Sequence, residues 1–334
     1  MRHILTAALM FVVAMGFALV PHVQRTAAQA DSNWIEAFDY NAVVDRYAAA
    51  SNLTVRIWDA ATDQLLHTVQ IPDPRSSPDF QQLYFGRLIF SPLGDRLAVS
   101  LYGDAGGGFV IIDASTGQIA LQSSLHVPSV GPIAWSPDGD FLAGIYYYTP
   151  MTPVLDGFLG LWDTHTGQEI NNYLIGTSPI ALDWQPSDAR LAFADAADVV
   201  VWDVEQWQEL YRVSADENGV ISVAWSPSRD TFASIGIEDI IRLWDGNTGE
   251  LQRAIDAGDS GKDVPGVFWS QSGDWVGVAY GQHIEIWDPE TGVSVFSYEA
   301  EEQIAGVAVL SDGSIIFASV TTVEKLKPPL LATP

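Results

Sequence analysis

Any chemistry done by this chain must come from a small stock of suitable side chains. There are 6 His and no Cys in 334 residues. Past the N-terminal stretch, His67, His126, His165 and His283 stand singly, none at metal-ligand spacing from another, and each reads as a loop or strand residue. Gly258-Asp259-Ser260-Gly261 sets a serine between turn residues, as a nucleophile-bearing loop would. The Gly-Pro that would follow is missing, with Lys262 in its place, so three turn-forming residue types between Asp256 and Asp263 account for it. Gly261-Lys262 is no phosphate loop, because the leading Gly is absent and Asp263 replaces the magnesium-binding Ser or Thr. Asp138-Gly139-Asp140 and Asp104 beside Gly106-Gly107-Gly108 could offer oxygens to calcium, but acidic hairpin turns explain them equally well and no fixed calcium-loop pattern is present. The sequence therefore predicts no catalytic residue, no cofactor, no metal site and no enzyme.

Composition narrows the partners. The chain is 48% apolar and 17% charged, as a packed globular protein is, which excludes a disordered or fibrous chain. Fifteen Lys and Arg face 42 Asp and Glu, a formal charge of −27. That field repels phosphate and no basic stripe offsets it, so nucleic acid is excluded as a partner.

Residues 1–30 read as an export signal. Arg2 and His3 give a short polar start, Ile4 to Val20 is a mostly apolar run, Pro21 breaks it, and Ala28-Gln29-Ala30 is a small-x-small cleavage site. Cleavage after Ala30 leaves residues 31–334 as a secreted or periplasmic protein with no membrane span. The alternative is an uncleaved anchor, since spanning helices begin at about 17 residues.

Self-similarity fills the remainder. Trp58-Asp59, Trp162-Asp163, Trp202-Asp203, Trp244-Asp245 and Trp287-Asp288 each close a short apolar segment, and Val110-Ile111-Ile112-Asp113 is a sixth copy with Ile112 in the Trp position. Positions 58, 112, 162, 202, 244 and 287 are 54, 50, 40, 42 and 43 residues apart. About half a repeat earlier, each has an aromatic-turn signature: Phe90-Ser91-Pro92, Trp135-Ser136-Pro137-Asp138-Gly139, Trp184-Gln185-Pro186, Trp225-Ser226-Pro227 and Trp269-Ser270-Gln271, with Leu310-Ser311-Asp312-Gly313 as a last copy. Period-two strands punctuated by Pro and Gly turns predict an all-β chain.

These residues resemble the WD-repeat β-propeller family across essentially all of residues 31–334, with nine of the 12 Trp at the two repeated positions. The resemblance implies a seven-bladed propeller of four-stranded antiparallel blades, in which a ring buries both faces of sheets that cannot do so singly. Only 27 strands can be counted where 28 are needed, so the last blade is expected to be incomplete or finished by the Pro-rich tail. The family's buried His, Asp, Ser or Thr, and Trp network is depleted. His126 is the one plausible surviving His, and the position six before the Trp is Asn52, Asp156 or Glu238 in three repeats but Ala196 or Gly281 in two.

Function in a propeller sits in its loops. The two excess lengths, Pro72 to Phe85 and Thr149 to Gly157, both emerge on the face carrying the inter-blade and second-to-third-strand connections. They hold or adjoin Phe80, Tyr84, Phe85, Tyr146, Tyr147, Tyr148, Met151 and Leu155. Aromatics and Met anchor protein interfaces, so these residues are the expected interaction surface for a protein or other macromolecule, on a monomeric scaffold. The rival expectation is a small-ligand or carbohydrate-binding propeller, or a hydrolase, using carboxylates around the central channel. Clustered channel carboxylates with shifted pKa values would favour it.

Overall fold

The computed structural model describes residues 23–29, 35–72, 83–103, 107–123, 129–147, 156–177, 180–258 and 266–328, the first of these segments by its backbone alone. Among the described residues, twenty-eight strands and no helix make seven four-stranded antiparallel sheets. Apart from β1 (Val23–Gln29), they follow the chain blade by blade. Blade 1 is β2 (Ala37–Asn41), β3 (Arg46–Ser51), β4 (Thr54–Asp59) and β5 (Leu65–Gln70); blade 2 is β6 (Leu83–Phe90), β7 (Arg96–Gly103), β8 (Gly108–Asp113) and β9 (Gln118–Gln122). Blade 3 is β10 (Ser129–Trp135), β11 (Phe141–Tyr147), β12 (Asp156–Asp163) and β13 (Glu169–Thr177); blade 4 is β14 (Leu182–Trp184), β15 (Arg190–Asp195), β16 (Asp198–Asp203) and β17 (Gln208–Ser214). Blade 5 is β18 (Val220–Trp225), β19 (Thr231–Gly236), β20 (Ile240–Asp245) and β21 (Leu251–Asp256); blade 6 is β22 (Gly266–Trp269), β23 (Val276–Tyr280), β24 (His283–Trp287) and β25 (Ser294–Glu299). Blade 7 has three strands of its own, β26 (Ile304–Val309), β27 (Ile315–Ser319) and β28 (Thr322–Leu326), and β1 pairs with β28 as its fourth. The seven-bladed reading of the sequence holds. The fourth strand of the last blade is β1, inside the segment read as an export signal, and the tail beyond Pro328 lies outside the described residues.

The core lies between blades. Seven clusters of buried apolar residues each draw on two neighbouring blades, one cluster for each seam of the ring. Both aromatic signatures of a blade turn toward the preceding blade: Trp184 and Trp202 pack at the seam of blades 3 and 4, and Trp225 and Trp244 at that of blades 4 and 5. Three indoles also tie seams by hydrogen bonds, Trp135 Nε1 donating to the Ile89 carbonyl and Trp269 Nε1 to the Ala224 carbonyl, each at 3.1 Å, and Trp207 Nε1 to the Asn172 carbonyl at 3.2 Å. The depleted polar network survives in one described Trp-to-hydroxyl bond, from Trp244 Nε1 to Ser234 Oγ at 2.9 Å. In blade 4 the Trp202 Nε1 is buried with no hydrogen-bond partner.

The Asp of each Trp-Asp pair has a local role. Asp59, Asp113, Asp163, Asp203, Asp245 and Asp288 each accept backbone N–H bonds from residues two or three further on, closing the turn to the outer strand. The turn needs a left-handed residue four positions after that Asp. Gly117, Gly167, Gly249 and Gly292 supply it with φ near +70°, while Asp63 (φ 55°) and Trp207 (φ 51°) fill it in the two blades that lack the Gly.

Candidate functional site

The face carrying the two insertions can be followed at blade 2. Tyr84, near the start of β6, lies opposite Tyr102, near the end of β7, and the rings stack at 5.5 Å with 27° between planes. Both are 42% exposed. Partial burial, reinforced by the charge of Glu36, raises the Tyr102 hydroxyl above the ordinary phenol range. Glu36 stands exposed in the link leading into β2; its Oε1 accepts the Asn52 N–H at 2.9 Å and its Oε2 the Phe85 N–H at 3.2 Å. An exposed aromatic pair with a carboxylate beside it thus forms part of the insertion face.

The other expected surface residues divide. Phe85 is 4% exposed, within the seam of blades 1 and 2. It follows Tyr84 in a strand, so its side chain takes the opposite face of the sheet. Tyr146 is 5% exposed: its ring stacks on Phe158 at 5.3 Å and its hydroxyl donates to Glu169 Oε1 at 2.8 Å. Neither is a surface anchor. Tyr147 is half-buried against the seam of blades 3 and 4, and burial pushes its hydroxyl up to about 12. Phe80, Tyr148, Met151 and Leu155 lie outside the described residues, as do His126 and the segment from Asp259 to Lys262. Tyr102 was missed by sequence reasoning, although the outward position it holds, one after the buried Leu101, was readable from strand alternation.

A second candidate lies on the ring axis. First strands of the blades line a cavity of about 370 Å³ whose charged lining residues are Glu36, Asp39, Arg87 and Asp183. Asp39 and Asp183 hold one structural position, directly before the first-strand aromatic of blades 1 and 4. Each reaches to the next blade: Asp39 Oδ2 accepts the Phe90 N–H at 2.7 Å, and Asp183 Oδ2 accepts the Trp225 N–H at 2.6 Å. Desolvation pushes both carboxyls up to about 6, against the opposing pull of those hydrogen bonds and of the Arg87 charge. These groups can exchange protons in mildly acidic solution and could hold a cationic or hydroxyl-bearing group. They were not singled out from a sequence with 42 acidic residues, since nothing in their local pattern marks them.

Among the described residues no group of three or more His, Asp or Glu is arranged to hold a metal ion. The Asp138 carboxylate is occupied in its own turn, accepting the Ser136 hydroxyl at 2.5 Å and the Asp140 N–H at 3.0 Å. No helix of the described residues is long and apolar enough to cross a membrane.

No family model matches the chain. It is 27% identical over 122 residues to cell division cycle 20.6, cofactor of APC complex, of Arabidopsis thaliana, a match covering 36% of this chain and 27% of that one. It is 31% identical over 88 residues to protein HIR1 of Cryptococcus neoformans, covering 26% and 10%. To small ribosomal subunit protein RACK1 of Schizosaccharomyces pombe it is 25% identical over 141 residues, covering 40% and 42%. The chain thus spans less than half the length of these curated relatives. A chain in a crystal structure of the mitotic checkpoint complex superposes with a TM-score of 0.74 at 19% identity, covering 97% of this chain and 99% of that one, which shows the fold. The chain is thus a seven-bladed β-propeller that is similar over part of its length to these proteins.

Proposed function

We propose that this is an exported, non-enzymatic propeller that binds a protein through its insertion face. The observation that carries the reading is the exposed, stacked Tyr84–Tyr102 pair beside Glu36, on the face where both insertions emerge. Rigid aromatics with a nearby charge are what interface anchors are made of. Several similar proteins have names that place them in multiprotein assemblies, the APC complex, the mitotic checkpoint complex and the small ribosomal subunit, which supports a binding role. The proposed protein is monomeric, carries its export signal on residues 1–30, works outside the cytoplasm and has no nucleic-acid partner, in keeping with its charge of −27.

The test is affinity capture from the organism's envelope extract with the protein and with a Tyr84→Ser, Tyr102→Ser double variant. Capture of a specific protein should weaken at least tenfold, about 1.4 kcal/mol, at an unchanged melting temperature. Undiminished capture by the double variant overturns the assignment of this surface.

The channel supports a second reading, a small-ligand site, because Asp39 and Asp183 have the shifted pKa values that such a site would show. An Asp39→Asn, Asp183→Asn variant that abolishes binding of a ligand, while the tyrosine variant leaves it intact, would establish it instead.

A further inference from the structure

The strand that closes the ring lies upstream of the cleavage site that the sequence carries. β1 spans Val23–Gln29, and cleavage after Ala30 would remove all of it. Its partner β28 is the outer strand of blade 7's own three, so β1 covers an edge that no other described strand covers. Register pairs run Val23 with Leu326, Gln24 with Lys325 and Arg25 with Glu324, then Gln29 with Thr322 after an irregularity.

Two features of β28 make the uncovered edge selective. Val323 and Leu326 are fully buried in the seams of blade 7 with blades 1 and 6, so packing other than β1 also holds the strand. With β1 in place Glu324 is buried, at 5% exposure, and Thr322 Oγ1 donates to its Oε1 at 3.1 Å, so a strand added at this edge encloses that carboxylate. Its cross-strand neighbour is Arg25. A buried carboxylate favours a cation opposite it, and an open edge favours a strand. Lys325 is directed elsewhere: its Nζ is bonded to the Ala60 carbonyl and lies 3.1 Å from Asp63 in blade 1.

We propose that removal of the export signal converts the edge of β28 into a strand-acceptor site, whose ligand is an extended peptide with a basic residue opposite Glu324. Before processing, residues 23–29 occupy that site from the same chain. Afterwards the same backbone pairing is open to an antiparallel segment of like chemistry, by β-strand addition. The inference rests on the export reading and concerns a different surface from the tyrosine pair.

The experiment uses protein recovered from the export compartment, with its N-terminus sequenced. A labelled peptide of residues 23–29, Val-Gln-Arg-Thr-Ala-Ala-Gln, is titrated into it and read by fluorescence anisotropy. An N-terminus at Asp31 with saturable binding, at least tenfold weaker for the peptide with Arg25→Glu and absent for unprocessed protein, is the expected result. An N-terminus at or before Val23 overturns both the processing boundary and the acceptor site, because β1 is then retained. An N-terminus at Asp31 without peptide binding overturns the acceptor site alone. So does a dimer that excludes the peptide, since a second copy would then be the occupant.

Discussion

Replacing Trp202 and Trp244 separately by Phe should give clearly unequal losses of stability. Both indoles are buried, with 2% and 5% exposure, at seams flanking blade 4. Truncation of either to Ala should cost about 3 to 5 kcal/mol, the range for emptying a large aromatic site. Phe keeps most of the ring and isolates the indole N–H. At Trp244 that N–H donates to Ser234 Oγ, which is 1% exposed and has no other described hydrogen-bond partner. Trp244→Phe therefore loses a bond and strands a buried hydroxyl, at about 1 to 3 kcal/mol beyond the loss of ring area. At Trp202 the N–H is already without a partner, so Phe removes an unsatisfied donor and recovers a comparable amount, offsetting the lost packing against Tyr173 and Phe193. The expected gap between the two variants is about 2 kcal/mol or more, with Trp244→Phe the less stable. Equilibrium urea unfolding measures it, and adding Ser234→Ala to Trp244→Phe should return part of the loss. Equal losses, or a larger one for Trp202→Phe, would refute the reasoning.

Asp39 and Asp183 should make the protein lose stability as pH rises. Their carboxyls are raised from 3.8 to about 6, so between those values the folded chain binds more protons than the unfolded one, and their contribution is full below about 4 and lost through about 6. An Asp39→Asn, Asp183→Asn variant should show a flatter melting-temperature profile from pH 4 to 6.5, and a profile parallel to the parent's would count against it. Ala196, exposed in the turn between β15 and β16, has φ 54°; Ala196→Gly should stabilise by up to about 1 kcal/mol in the same urea assay, as relief of left-handed strain outweighs the added chain entropy. Gly160→Ala should destabilise markedly, because its Cβ would come within 2.4 Å of the Trp162 ring and 2.8 Å of the Tyr146 ring in the seam of blades 2 and 3.

The ring was legible in the sequence because its seams are built from residues that repeat. Trp202, Trp225 and Trp244 are at once the most visible marks in the sequence and the wedges of the core. Blade 7's fourth strand was not legible. Val23–Gln29 is small and polar with no alternation of its own, and its strand character comes from the edge of β28, which lies about 300 residues away. The candidate surface was half legible. Spacing singled out the segments that hold Tyr84, Phe85 and Tyr146, but a strand sends Tyr84 and Phe85 to opposite sides, and Tyr146 continues β11 into a seam. The channel carboxylates were out of reach, since the burial that raises them comes from the first strands of all seven blades meeting at the axis.

Six of the seven seams join blades that are adjacent in sequence, and the seventh joins blade 1 to blade 7 through Phe38, Tyr40, Tyr47 and Trp58 against Ile316, Ala318 and Val323. A chain folding from its N-terminus can assemble the six in turn, whereas that aromatic face of blade 1 must wait until nearly the whole sequence has appeared. For that interval it is a sticky surface with no mate, and joining it requires closing a loop of about 270 residues, the slowest kind of contact to form. Mistakes during biogenesis should therefore concentrate at this one joint, as aggregates or as rings sealed between two molecules, and substitutions at Tyr47 or Ile316 should reduce yield more than equivalent ones at any other seam.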